Sequence, residues 1–73
     1  MVNFQVGDRV MYVGNDAGLS FLENLIGKVG TVSYVGQIYA SKDVVVVELD
    51  NFGSRNLFKY NLKLLKSNFI IEL

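Results

Sequence analysis

Ile26-Gly27-Lys28-Val29-Gly30-Thr31-Val32-Ser33-Tyr34-Val35 is the stretch on which the fold turns. Two glycines stand three apart, and β-branched and aromatic residues follow them, the types that fit a pleated, half-buried surface. The reading is a bent central strand over residues 29–35. Gly30 falls inside it, where a side chain would obstruct a crossing strand or a bulge. Gly27 and Gly30 have no helix after them, so their amides are not gathered at a helix N-terminus and do not make a phosphate cradle.

Upstream, residues 4–13 form the first strand region. Val6-Gly7-Asp8 is a turn-prone step, and Arg9-Val10-Met11-Tyr12-Val13 is strand-rich. Val10 and Tyr12 share one face, Met11 and Val13 the other. Gly14-Asn15-Asp16-Ala17-Gly18 ends the strand with dense turn chemistry. A long loop follows. Ser20 and Glu23 have capping-box spacing, enough for one helical turn closed near Gly27. Phe21, Leu22, Leu25 and Ile26 are too many apolar side chains for a free loop, so most fold back on the body of the protein.

Downstream, Gly36 to Lys42 is a connection. Residues 43–50 are the clearest strand. Four valines precede Glu48 and Leu49, which puts Val45, Val47 and Leu49 on the core side and Val44, Val46 and Glu48 on the other. A slip of one residue would bury Glu48. Asp50-Asn51-Phe52-Gly53 reads as a hairpin turn with glycine where positive φ is needed. Residues 55–59 pair back as the fourth strand. Tyr60-Asn61-Leu62 makes a tight 3-10 turn before a fifth strand, Lys63-Leu64-Leu65-Lys66. Residues 67–73 are an apolar tail that adds a strand to a sheet edge or docks on a partner. Residues 1–73 therefore read as one domain with its core in 4–66. The fold class is all-β, a five-stranded small barrel with a long first loop.

Composition narrows the functions. A chain of 73 residues buries only about 60% of its unfolded surface. It has neither cysteine nor histidine, so disulfides and the nitrogen and sulfur ligands of structural zinc are excluded. Stability rests on apolar packing, which 51% hydrophobic residues supply. The lack of cysteine fits a cytoplasmic location. The N-terminal residues do not read as a signal peptide, and no apolar run approaches the roughly 18 residues of a membrane span. The usual bases and nucleophiles are missing, and Asp43 and Asp50 lie at opposite ends of one strand; the expectation is no enzyme, no cofactor and no metal.

Val6-Gly7-Asp8-Arg9-Val10, Gly27-Lys28-Val29-Gly30-Thr31-Val32 and Val45-Val46-Val47 together resemble the KOW motif of SH3-like barrels in ribosomal proteins and elongation factors. The run from Gly27 through Leu65 is also similar to the small electron-transfer accessory barrels of photosystem I. That likeness rests on Val47-Glu48-Leu49-Asp50 and Asn56-Leu57-Phe58. Size and isolation resemble those of small SH3-like phage and prophage proteins. The resemblance covers residues 4–66 and implies the SH3-like fold; function is not fixed by it. A polyproline groove would need a tryptophan, and the chain has none.

Two binding readings follow. Net charge is zero, which disfavours a dedicated duplex nucleic-acid binder. Residues 1–50 nevertheless carry three bases against six acids, and residues 51–73 four bases against one acid. Nucleic acid would use Arg55, Lys59, Lys63 and Lys66 with Phe58 and Tyr60, since rings among bases stack on unpaired nucleotides. The bland alternative makes Phe58 core and the lysines solubilising. A protein partner would use Tyr12, Phe21, Tyr34, Ile38, Tyr39 and Phe52, or the tail from Phe69. So small a fold cannot bury all these rings, and one contiguous apolar patch beside the long loop and the 36–42 connection is expected. Through the tail the chain is expected to be a monomer or a weak dimer.

Overall fold

The computed structural model describes residues 3–14, 23–37 and 41–67. Five strands alternate with turns: β1 (Arg9–Tyr12), β2 (Val29–Tyr34), β3 (Val44–Leu49), β4 (Gly53–Phe58) and β5 (Leu62–Lys66). A 3-10 turn, Lys59–Asn61, joins the last two, one residue earlier than the sequence placed it. All pairings are antiparallel, and the order across the sheet is β4-β3-β2-β1-β5. The protein is therefore all-β.

Among the described residues the sheet does not close. Among the described strands, β4 and β5 stand at its two margins without pairing. Leu57 near the end of β4 and Leu62 at the start of β5 both enter the core. The turn between them is tied to its surroundings by Lys59 N–H donating to the Asp43 carbonyl (2.7 Å) and Val13 N–H to the Asn61 carbonyl (2.8 Å). The five antiparallel strands expected from the sequence are present over one core; closure into a barrel is not shown among the described residues.

The alternation of side chains decides which residues form that core. Val10 and Tyr12 of β1, Val32 of β2, Val45, Val47 and Leu49 of β3 and Leu57 of β4 all point inward and are buried. Phe4 and Leu25 close the core from outside the strands. The register expected for β3 holds, with Glu48 on the outer face, exposed. β1 ends at Tyr12, one residue before the strand-rich run does, and is preceded by the turn expected at Val6-Gly7-Asp8. There Asp8 accepts the Gln5 N–H through Oδ2 (2.8 Å), and its own N–H donates to the Gln5 carbonyl (3.0 Å).

Gly30 lies at the closest approach in the sheet. It pairs with Val10 on one side and Leu49 on the other. A Cβ there would stand 2.6 Å from the Glu48 carbonyl oxygen and 2.7 Å from Val47 Cγ1. Gly30 is therefore the crossing point. The bulge is elsewhere: the β2–β3 register shifts between Val32 and Tyr34, and the β1–β5 register between Arg9 and Val10.

Candidate binding surface

The outer face of the sheet divides into a polar row and an apolar strip. The row follows from pairing: Lys66 lies opposite Arg9, Arg9 opposite Thr31, Thr31 opposite Glu48 and Glu48 opposite Ser54. Directly opposed residues on one face interact. Arg9 Nη1 donates to Thr31 Oγ1 (2.9 Å), and Ser54 Oγ donates to Glu48 Oε2. Arg9 also clamps Asp50 with two bonds, of 3.1 and 2.6 Å, the two-pronged geometry that suits guanidinium and carboxylate. That donation holds Asp50 below the usual carboxylate range and raises Arg9.

The apolar strip lies toward the other end of the strands. The shift at Ser33 brings Tyr34 opposite Val46, and Val44 lies opposite Phe58. Tyr34 and Phe58 are 50% and 45% exposed, and between them Val46 is half-buried and Val44 buried. Tyr34 turns its ring over Gly36, where a Cβ would meet the phenol oxygen at 3.0 Å. The φ of +147° at Gly36 also favours glycine.

The expected protein-contact residues do not all belong here. Tyr12 does not: it is 1% exposed, because it shares the inward face of β1 with Val10. Phe21, Ile38 and Tyr39 lie outside the described residues, as does the tail from residue 68. Phe52 is exposed, but it sits in the β3–β4 turn with Lys28 Nζ 4.7 Å over its ring. Lys28 precedes β2 and Tyr34 ends it, roughly 20 Å apart at the usual strand rise. Tyr34 and Phe52 thus occupy opposite ends of the sheet. Phe58, which the sequence left between core and surface, is on the surface; its neighbour Leu57 takes the core place. Phe58 joins the strip through strand parity: once Val45 and Val47 are inward, Val44 and its partner face out.

The basic candidates also separate. Arg55 is exposed on the marginal strand β4, where Nη1 donates to the Ser54 carbonyl (2.9 Å). Lys59 Nζ lies 3.4 Å from Asp43 Oδ1, with its side chain 12% exposed, and 5.8 Å over the Tyr60 ring. The Tyr60 hydroxyl donates to Asp43 as well, and this bond raises the phenol above its ordinary value. Lys63 and Lys66, exposed on β5, lie opposite Met11 and Arg9. They are three apart and would alternate in a regular strand. The irregularity at Leu65 places both on the outer face.

No group of three histidine, cysteine, aspartate or glutamate side chains that could hold a metal occurs among the described residues. No described helix is long and apolar enough to cross a membrane. No protein-family model matches the chain, and no curated protein or solved structure matches it.

Proposed function

We propose that the protein is a small non-catalytic binding module of SH3-like type, acting on a protein partner in the cytoplasm. An accessory role of the phage or prophage kind is part of this proposal. The SH3-like reading is supported by the strand order, with β1 between β2 and β5, and by the 3-10 turn before the last strand. The non-catalytic reading is supported by the engagement of four of the described carboxylates. Asp50 is clamped by Arg9, Glu48 by Ser54, Asp43 by Lys59 and Tyr60, and Asp8 caps its own turn.

The observation that carries the protein-binding reading is the pair of half-exposed rings, Tyr34 and Phe58, flanking Val44 and Val46 on one face. Exposed aromatic clusters of this kind are what interfaces use. A KOW-like nucleic-acid role is the second reading. It is favoured by the irregularity in β5, which brings Lys63 and Lys66 to the face that carries Arg9. Affinity capture from lysate with and without nuclease tests both. Protein binding predicts a nuclease-resistant partner lost in Tyr34→Ser/Phe58→Ser and kept in Lys63→Gln/Lys66→Gln. Capture that nuclease abolishes, and that the lysine substitutions remove, replaces it with the second reading.

A further inference from the structure

The order β4-β3-β2-β1-β5 puts β2 at the centre, and the charges of the outer face divide about it. On one side stand the bases: Arg9 of β1 and Lys63 and Lys66 of β5. On the other stand the acids: Glu48 of β3 and Asp50 just after it. Ser54, Asn56 and Phe58, the outer residues of β4, carry no charge. Thr31 is the middle of the polar row, with Arg9 opposite it on one side and Glu48 on the other. Neighbouring strands lie about 4.8 Å apart, so the base and the acid are equally far from Thr31. A half-turn about an axis along β2 therefore lays β1 of one chain over β3 of another, and β5 over β4. Arg9 then meets Glu48 of the second copy, twice, and Lys63 and Lys66 come over its acidic half. An axis across the strands would instead set Arg9 on Arg9 and Glu48 on Glu48.

We propose that the outer face pairs with a second copy of this chain about the axis along β2, in an isologous contact. Glu48 is exposed and bonded to the neutral hydroxyl of Ser54, so its charge suits a base from outside the chain. Tyr34, half-exposed at the end of β2, meets its own copy, and paired rings attract beyond the area they bury. The five strands span about 19 Å across and about 20 Å along, on the order of 400 Å² per chain, the size of a weak contact. From Lys66 the copy's β5 runs away from the Tyr34 end, so none of its described strands reaches Phe58. Self-association and the capture of another protein are therefore separable at Phe58.

Sedimentation velocity of the full chain at low salt, from about 10 μM to about 1 mM, should show a concentration-dependent dimer that added salt weakens. Arg9→Glu and Glu48→Arg each set like charges against one another across the axis and should weaken the dimer about tenfold or more. In an equimolar mixture, one chain is acidic at both positions and the other basic at both. Association should then return to within about threefold of the original, which requires both variants to be folded. Thr31→Cys leaves every charge in place, and the chain has no cysteine of its own. A short bis-maleimide should join Thr31→Cys to its copy but not Arg55→Cys, since Arg55 lies opposite the inward Val47 and so on the other face. A chain monomeric throughout, a mixture no better than its components, or equal cross-linking at the two positions would overturn the second copy. Phe58→Ser should keep the dimer and lose the captured partner. Loss of the dimer in Phe58→Ser would move the contact off this axis and overturn it as well.

Discussion

Gly30 and Leu49 face each other across β2 and β3 so closely that a Cβ on Gly30 would lie 2.9 Å from the Leu49 Cα. The Glu48 carbonyl is closer still, at 2.6 Å. Two of the three nearest atoms are backbone, so relief requires moving a central strand. Gly30→Ala should cost about 3 kcal/mol, the upper end of what overpacking costs, and Gly30→Val should not fold. Urea unfolding followed by circular dichroism measures the first and the absence of a cooperative transition the second. A stable Gly30→Val protein would show that β2 and β3 can separate.

Tyr12 and Tyr34 are both strand tyrosines, and they should respond in opposite ways. Tyr12 is 1% exposed inside the core, and Tyr34 is half-exposed on the outer face. Tyr12→Ala should lose about 3–5 kcal/mol, as for other large buried rings, enough to unfold much of a domain this small. Tyr34→Ser should stay close to the original stability. Thermal unfolding of the two variants side by side is the measurement. Equal losses would contradict the assignment of faces.

What the sequence made legible follows from local pattern. The valine run ending in Glu48 fixed the face of β3, and the turn residues around Gly53 fixed the hairpin, where Gly53 has φ 75°. Tyr12 was misread because an aromatic side chain suits core and interface equally, and only the burial of its face-mate Val10 decides between them. Phe58 stayed open until β4 was paired, since Leu57 and Phe58 are both apolar and parity alone separates them. The placement of Lys63 and Lys66 on one face depends on an irregularity that no spacing rule reveals.

The Arg9–Asp50 clamp should show itself as acid sensitivity. Donation from Arg9 lowers the Asp50 carboxyl in the folded protein. A carboxyl depressed on folding contributes stability above its unfolded pKa, and that contribution disappears as pH falls through the lower folded value. Both side chains are substantially exposed, so the effect is small and screened by salt. Asp50→Asn should therefore be less stable than the original protein near neutrality, and the gap should close as pH falls through the lowered Asp50 value. Urea midpoints across that range test it. A gap independent of pH would mean that Asp50 acts through the hairpin rather than through its charge.

Tyr60 makes the corresponding statement at alkaline pH. Its hydroxyl donates to Asp43, whose charge also opposes formation of the phenolate, and the phenol is raised above 10.0. Its contribution to stability is complete below the ordinary tyrosine pKa and disappears as pH rises through the raised value. Asp43→Asn should bring the phenol down, which ultraviolet titration of tyrosinate formation reads directly. Comparison with Tyr60→Phe assigns the component that moves. An unchanged Tyr60 titration in Asp43→Asn would place the cause elsewhere.

Leu57 and Phe58 are adjacent, yet they belong to different parts of the protein. Leu57 is 2% exposed opposite Val45, and Phe58 is 45% exposed opposite Val44. Leu57→Ala leaves a cavity in the core. Its cost should be about 2–5 kcal/mol. Phe58→Ala removes a half-exposed ring opposite Val44 and should cost about 1 kcal/mol, because little enclosed volume is vacated. The same substitution takes one of the two rings from the outer strip. Phe58→Ala should thus remain folded and lose the captured protein partner, whereas Leu57→Ala should lose binding only in proportion to unfolding. Urea unfolding combined with capture at a temperature where both variants are folded separates the two effects. Full binding by folded Phe58→Ala would remove the outer strip from the interface.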